Sequence, residues 1–443
     1  MGRTHRQRIV LTDMAATKFK LPLDGIILAL VFVLANLRAL IFFSLYPDST
    51  TLLGAAWLEI GLWLLATFGI LYFMRRENLL AKYLLMLQKN RLIFLFVLLA
   101  LISTAWSLEF SVTLFRAAEL LFATLMAAYL GMRYRSEGMM NMLFWFGAIL
   151  LILSIALIFG APRTGTMYWA PFDGAWRGVY WHRNHLSSVT ALVNAILLCR
   201  VMIAVENRQS TGWLDGVFYI LSSVVLYFAR SATGYILFII LNSFVVCAWI
   251  WTRLSQHLRN WHYYFIFGVP MLGLVFLLSN LDAVFGLFNR SADMTGRVFL
   301  WNFLLKEVVS QRLWWGHGFG AAWNLDPFRE NARLHVGWTS QPLIADNGYL
   351  EILIHLGIAG LLIFLGILIT AALRSIRYAF SHRTVAGFFP LLLLLYALFA
   401  NIPFSLFAET EVFVWLLIVA VLFMTTPSQR IGSSGEPSNP VFV

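Results

Sequence analysis

The stretch ADNGYLEILIHLGIAGLLIFLGILIT (345–370) is apolar over more than the roughly 20 residues that an α-helix needs to cross a bilayer. Its ionisable residues, Asp346, Glu351 and His355, all stand near its beginning. The apolar run that follows is uninterrupted by charge. The stretch therefore predicts a membrane-spanning helix that starts at a polar boundary.

The same signal recurs along the 443-residue chain, which is 60% hydrophobic and 12% charged. The charged fraction is about half that of an average soluble domain. We therefore predict an all-α integral membrane protein with about twelve spans. They lie at about 25–45, 52–73, 92–108, 114–130, 141–160, 185–205, 213–229, 233–251, 263–279, 345–370, 385–401 and 408–425.

Lys and Arg residues accumulate at alternate ends of these spans, beginning with the N-terminal segment and the linker over 75–91. Such clusters belong to the cytoplasm, so both termini are predicted inside. We expect one multi-span membrane domain over 1–425 and a disordered cytoplasmic tail, rich in Ser, Gly and Pro, over 426–443.

Two outer segments, 161–184 and 280–344, are basic although the alternation places them outside. Topology does not explain cations there, because positive charge normally marks cytoplasmic loops. We interpret the two segments as catalytic loops that handle an anion. A lipid-linked phosphate or diphosphate is the expected ligand class.

The stretch TGRVFLWNFLLKEVVSQRLWW (295–315) repeats polar residues at helical spacing. This periodicity predicts an amphipathic helix, either lying in the outer interface with its tryptophans at head-group level or packed within the loop. The stretch GHGFGAAW (316–323) follows. Its glycines permit tight turns that leave amide N–H groups for an anion, and its His317 is a candidate substrate-binding residue.

The stretch WRGVYWHRNHLS (176–187) places several polar side chains at the outer mouth of the sixth span. Arg177 and Arg183 are candidates for holding phosphate oxygens, because guanidinium groups bind such oxygens bidentately. His182 and Asn184 are further substrate-binding candidates. Alternatively, Asn184 caps the helix and the histidines are interfacial hydrogen-bonding groups.

Arg297 would stand in the first turn of the interfacial helix, where the helix dipole disfavours a cation. A negative partner, either Asp293 or a bound phosphate, would offset this, and the phosphate is favoured. Asp346 is either a structural helix cap or a general base near a partly desolvated pocket. His335, from the same outer loop, is the competing base.

Two further observations limit the chemistry. Arg116 and Glu119 share one helical face within the membrane and are expected to neutralise each other. His317, His335 and Asp346 lack the spacing of a zinc site. We therefore expect neither a metal nor another cofactor, and no nucleic-acid partner.

The order of these motifs resembles the O-antigen ligase and polysaccharide polymerase superfamily, which includes exopolysaccharide polymerases. The resemblance covers residues 176–362, and the N-terminal helices match only in hydrophobic character. The matching pieces are WHRNHL (181–186), RSATGYIL (230–237), TGRVFLW (295–301), GHGFGAAW (316–323) and DNGYLEILIHLGIAG (346–360).

The resemblance implies a GT-C-type fold in the bacterial inner membrane, with the active site facing the periplasm. It implies a metal-independent, inverting enzyme that transfers glycan from an undecaprenyl-diphosphate donor to an acceptor hydroxyl on a lipid or glycan. Membrane lipids and a chain-length regulator or other assembly proteins are the implied partners. Arg297 and Asn347 map directly onto family motifs, Tyr349 completes the Asn-x-Tyr-Leu segment, and Arg177 or Arg183 maps to a further arginine.

This chain departs from the family pattern at one position. Ligases commonly have His-Asn before the tyrosine, whereas this chain has Asp346-Asn347. Either Asp346 acts as the base or His335 reaches in from the loop, and the departure favours a polymerase over a ligase. A transporter or flippase of an anionic or lipid-linked solute is the alternative function, and it would be built from two related halves.

Overall fold

The computed structural model describes residues 53–168, 172–210, 212–254, 297–324, 326–336, 344–402 and 413–427. These ranges are helical, apart from loops and an isolated antiparallel bridge between Thr166 and Trp176. The predicted all-α class is confirmed, and the apolar helices are those of an integral membrane protein. The predicted spans 25–45 and 263–279 lie outside the described residues.

We number the α-helices of the described residues in chain order. They are α1 (Leu53–Arg76), α2 (Leu80–Lys89), α3 (Arg91–Ile102), α4 (Phe110–Arg133), α5 (Ser136–Gly160), α6 (Pro162–Gly165), α7 (Arg183–Glu206), α8 (Trp213–Ala229), α9 (Ala232–Leu254), α10 (Arg297–Phe303), α11 (Asp326–Val336), α12 (Gly348–His382), α13 (Phe389–Ala400) and α14 (Phe413–Met424). Short 3₁₀ turns occupy Ser103–Trp106, Val309–Arg312, Ala322–Asn324 and Val385–Phe388, and a π-helical turn occupies Leu304–Val308.

Five helices of the described residues are long and apolar enough to cross a membrane: α4, α5, α7, α9 and α12. The bent pair α2 and Arg91–Trp106, with an angle of 82° between its parts, would add a sixth if it forms one span. Helices lie at ten of the twelve predicted spans, but several are shorter than a bilayer requires. The count of twelve stays a prediction.

The tightest packing joins α4 to α14. The buried Trp415 of α14 donates its indole N–H to Thr124 Oγ1 of α4 at 2.8 Å. A Cβ at Gly131 would lie 2.2 Å from the carbonyl oxygen of Ala420, so only glycine permits this approach. Small residues at such contacts let membrane helices pack backbone to backbone.

Contacts between helix ends join segments that the charge pattern assigns to the same side. At the predicted inner side, Arg133 pairs with Glu77 at 3.2 Å, and Arg374 donates to Asn90 and Thr426. Thr426 is buried, so the first residue of the predicted tail is packed into the protein. Residues 428–443 of that tail lie outside the described residues.

Helix α12 is interrupted at Gly357, whose backbone has φ 64° and ψ −165°. Residues 312–319, which we call the bracing segment, run beside this break. Four hydrogen bonds join the two: His317 N–H to Ile354 O (2.9 Å), Gly318 N–H to His355 O (3.1 Å), Ile358 N–H to Leu313 O (2.9 Å) and Ala359 N–H to Trp314 O (3.2 Å). Backbone groups freed by the break are thus satisfied by protein, as irregular backbone at membrane depth requires.

The bracing segment also contacts the 3₁₀ turn after α3. The N–H of Phe319 donates to Ser103 Oγ at 3.1 Å, and Leu108 N–H donates to the His317 carbonyl at 3.1 Å. The segment therefore ties α3 to α12 and supports the outer end of α12, where the candidate site lies.

Candidate active site

Arg297 and Asp346 form an ion pair in which Arg297 Nε donates to Asp346 Oδ2 at 2.8 Å. Arg297 begins α10, and Asp346 stands two residues before α12 begins. Both side chains are only partly exposed, at 14% and 20%. The sequence analysis did not foresee Asp346 as the anionic partner of Arg297. Of the two partners it named, Asp293 lies outside the described residues, and a bound phosphate stays a prediction.

The helix cap of α12 is Asn347, whose side-chain oxygen accepts from the N–H groups of Tyr349 and Leu350, both at 3.0 Å. The alternative that Asp346 caps this helix is therefore wrong. Asn347 has extended backbone, which lets its short side chain reach the first turn. Asp346 adopts a left-handed φ of 53°, and its carboxylate faces Arg297.

Tyr349 lies in the first turn of α12, and its hydroxyl donates to the carbonyl of Leu398 at 3.1 Å. Next to it, Gly348 donates its N–H to the carbonyl of Asn401 at 2.9 Å. These two bonds hold the beginning of α12 to the end of α13. Tyr349 was predicted to bind substrate, and the structure gives it this anchoring contact.

The stretch around α7 begins with His182, whose Nδ1 accepts from the N–H of Asn184 at 3.2 Å and caps the helix. Asn184 is therefore not the cap that the alternative interpretation proposed. Its side-chain oxygen instead accepts from Ser231 Oγ at 2.9 Å, inside the protein. An extended His182 backbone places the imidazole over the first turn and takes over the capping role.

The predicted phosphate-binding arginines donate to backbone carbonyls. Arg183 is 2% exposed, donates to the carbonyls of Ala229 and Arg230, and lies 4.1 Å from the centroid of the Phe172 ring. Arg177 donates to the carbonyls of Thr164, Trp181 and Arg163. Both guanidinium groups brace the outer loops here, and a role in binding phosphate stays a prediction.

The two clusters that the sequence places far apart converge at His182. Burial holds the pKa of His182 well below its usual range, and the neighbouring charges of His185, Arg183, Arg297 and Arg177 lower it further. Arg297 comes from the long outer segment, and the other groups come from the α7 stretch. One electropositive region, at the predicted outer side, therefore contains residues of both predicted catalytic loops.

Arg230 lies in the stretch RSATGYIL (230–237) but was not among the predicted site residues. This exposed residue has φ 51° and forms the turn between α8 and α9. It heads a groove of about 750 Å³, whose other lining residues are Tyr227, Phe228, Ala232, Tyr235, Phe238 and Ile239. A cation at the predicted outer end of an otherwise apolar span was the signal that could have identified it.

The glycine-rich stretch after α10 does not form the expected anion site. The N–H groups of Gly316, His317, Gly318 and Phe319 donate to Arg312 O, Ile354 O, His355 O and Ser103 Oγ. His317, predicted to bind substrate, is 6% exposed, and burial lowers its pKa. The amides are not available to an anion, because they complete the bracing segment.

The predicted interfacial helix is helical over 297–312 but changes from α to π to 3₁₀ geometry. Trp314 and Trp315 are exposed, as the interfacial interpretation expects. Trp301 differs from these two exposed tryptophans. Its indole N–H points into the protein and donates to the carbonyl of Ala345 at 2.7 Å. A tryptophan expected at head-group level thus supports the loop that carries Asp346.

His335, the competing base, is exposed on α11, and its ring centroid lies 4.9 Å from that of Phe303. Phe303 ends α10, which Arg297 begins. The contacts described for His335 are with this ring, whereas Asp346 is in direct contact with Arg297. Of the two candidate bases, Asp346 is the one that the described contacts bring to the cationic site.

Two comparisons with known proteins identify relatives. The family model described as O-antigen ligase matches residues 217–365, a range that includes Arg230, Arg297 and Asp346. The exopolysaccharide production protein ExoQ of Rhizobium meliloti (strain 1021) is 23% identical over 303 residues, which are 66% of each chain. The match thus spans just under two thirds of that relative.

These matches confirm the resemblance to the O-antigen ligase and polysaccharide polymerase superfamily. Their descriptions concern O-antigen ligation and exopolysaccharide production. The matched family region carries Arg297 and Asp346, whereas Arg177 and Arg183 lie before it.

Proposed function

We propose that this protein is a membrane glycosyltransferase that joins glycan from an undecaprenyl-diphosphate carrier to an acceptor hydroxyl. The Arg297–Asp346 ion pair supports the proposal most directly, because a guanidinium group, which is suited to phosphate oxygens, and a carboxylate, which is suited to act as a base, lie 2.8 Å apart. The family match and the exopolysaccharide relative support polysaccharide assembly as the setting. Either polymerisation or ligation fits this site.

Arg297 has the role of binding the diphosphate. A guanidinium group matches phosphate oxygens bidentately and stabilises the negative charge that develops as the diphosphate leaves. When the donor arrives, Arg297 exchanges the Asp346 carboxylate for phosphate oxygens. This exchange releases Asp346 at the moment that a base is needed.

Asp346 has the role of general base toward the acceptor hydroxyl. The acceptor oxygen attacks the anomeric carbon, and its proton moves to the Asp346 carboxylate. The bond from the anomeric carbon to the diphosphate oxygen breaks, and the diphosphate leaves with the electron pair. Attack from the side opposite the leaving group inverts the anomeric configuration, and no step requires a metal.

The groove that has Arg230 at one end is the proposed binding site of the polyprenyl chain. Its lining is apolar and aromatic along one side of α9, and its cation stands at the outer end. Arg183 donates to the Arg230 carbonyl, so the groove meets the electropositive region around His182. A lipid whose chain lies in this groove presents its phosphates to that region.

The proposed location is the bacterial inner membrane, with the site facing the periplasm and the termini in the cytoplasm. The support is the distribution of cations along the chain. The acceptor is a lipid or a growing glycan, and a chain-length regulator is a proposed partner by family analogy.

The test uses purified protein in nanodiscs with undecaprenyl-diphosphate-linked oligosaccharide, with and without EDTA. We expect release of lipid diphosphate together with a lengthened or transferred glycan, at the same rate in EDTA. Arg297→Ala should abolish both products, Asp346→Asn should slow their formation by about 10²–10⁴-fold, and Arg253→Ala, at the predicted inner side, is the matched control. Donor binding without turnover by any acceptor would overturn the proposal in favour of transport.

A further inference from the structure

Glu351 is a buried carboxylate that the proposed chemistry does not use. It lies in the first turn of α12 with a side chain that is 1% exposed. Burying a carboxylate is costly unless hydrogen bonds and a nearby cation or dipole compensate. Its position near the beginning of the helix is electrostatically favourable, and its bonds indicate what it holds.

The Glu351 carboxylate accepts hydrogen bonds from Ala345 and from Trp323. Oε1 accepts from the N–H of Ala345 at 2.6 Å, and Oε2 accepts from the indole of Trp323 at 2.8 Å. The Nε2 of His355 lies 3.5 Å from Oε2. Both hydrogen bonds are short and fix the orientation of the carboxyl group.

Both backbone groups of Ala345 are hydrogen-bonded to side chains. Its N–H donates to Glu351 on α12, and its carbonyl accepts from the Trp301 indole of α10 at 2.7 Å. The next residue is Asp346, whose left-handed backbone depends on a fixed neighbour. Arg297 begins the same helix that carries Trp301.

We propose that Glu351, together with Trp301, is a positioning residue that fixes Asp346 against Arg297 through the backbone of Ala345. This inference rests on the proposed function. Displacing a reacting group by about 1 Å can cost on the order of 10²-fold in rate without touching substrate. The expected signature is a loss in kcat, with little change in the KM for the donor.

The first test variant is Glu351→Gln. An amide has one acceptor oxygen where the carboxylate has two, so either Ala345 N–H or the Trp323 indole loses its acceptor. We expect faster hydrogen exchange at the Ala345 amide and a fall in kcat on the order of 10²-fold. The matched control is Asp215→Asn, which replaces a buried acid in the first turn of α8 that pairs with Arg200 of α7, and it should change neither the exchange rate nor kcat.

The second test variant is Trp301→Phe, which keeps an aromatic ring and removes the donor to the Ala345 carbonyl. It carries the test if Glu351→Gln does not fold, and it should produce the same kcat loss. In the double variant, the two losses should be less than additive, because both contacts act through the backbone of one residue, Ala345.

The outcomes separate the inference from the proposed function. Unchanged Ala345 exchange, or full kcat in either folded variant, would overturn the positioning role. A wild-type protein that never turns over donor would overturn the proposed function alone. Hydrogen exchange would then still show whether Glu351 holds the Ala345 peptide.

Discussion

Ile358 donates its backbone N–H to the carbonyl of Leu313 at 2.9 Å, so the bracing segment supplies an acceptor that helix α12 lacks at its break. Together with the other hydrogen bonds at the break, this contact joins the bracing segment to the first turns of α12, which begin at the candidate site. The coupling makes Gly357 a structural requirement.

Gly357→Ala should destabilise the protein by about 1–3 kcal/mol or more, because its φ of 64° strains an L-residue. The new Cβ would also lie 2.3 Å from the carbonyl carbon of Trp314. Thermal unfolding in detergent measures the effect. Gly366→Ala, in the regular part of the same helix, is the matched control and should leave the midpoint unchanged or raised. Equal midpoints for the two variants would contradict the requirement.

Asp346→Asn should reduce kcat by about 10²–10⁴-fold, the range that a general base contributes, while the protein remains folded. The amide keeps the shape of the side chain but accepts no proton from the acceptor. His335→Ala should retain most activity. The measurement is glycan transfer at saturating donor, and loss in His335→Ala with retention in Asp346→Asn would assign the base to His335 instead.

Arg230→Ala should raise the KM for a polyprenyl-diphosphate donor about tenfold and change kcat less, because the residue contributes to binding before the chemical step. Arg230 stands at the head of the apolar groove. Arg253→Ala removes a cation from the predicted inner side and should leave the KM unchanged. A similar rise in KM in both variants would mean that the loss of any positive charge weakens donor binding, and it would contradict a specific role for Arg230.

Stability should fall as the pH drops below about 6.5, the usual pKa of histidine. Burial and nearby cations lower the pKa of His182, so the unfolded chain takes up a proton that the folded protein does not. Stability therefore rises with pH through this window. His182→Asn keeps a helix cap and removes the titrating ring. Unfolding midpoints measured from pH 7 to 5 should then fall less steeply than in wild type.

The membrane helices were largely predictable, because hydropathy reports a property that each segment carries alone. The boundary of α12 illustrates the limit. An Asp-Asn pair signals a helix start, but the choice of Asn347 as the cap depends on the backbone of both residues. Local sequence does not contain that information.

The candidate site was predictable as a set of residues and not as an arrangement. Arg297 and Asp346 were both singled out, yet their pairing joins positions 49 residues apart and depends on how α10 meets α12. The glycines over 316–320 matched an anion site as well as a backbone brace. Only the break at Gly357 decides between them.

The Arg297–Asp346 pair also sets a threshold for what the site accepts. A ligand must displace an internal carboxylate at 2.8 Å before it can bind Arg297. A phospholipid with a single charge offers little more than the carboxylate already provides, whereas a diphosphate offers more charge and more oxygens. If the site functions as proposed, the resident acid would disfavour the abundant singly charged lipids of the surrounding bilayer, and this discrimination would come from competition and not from shape.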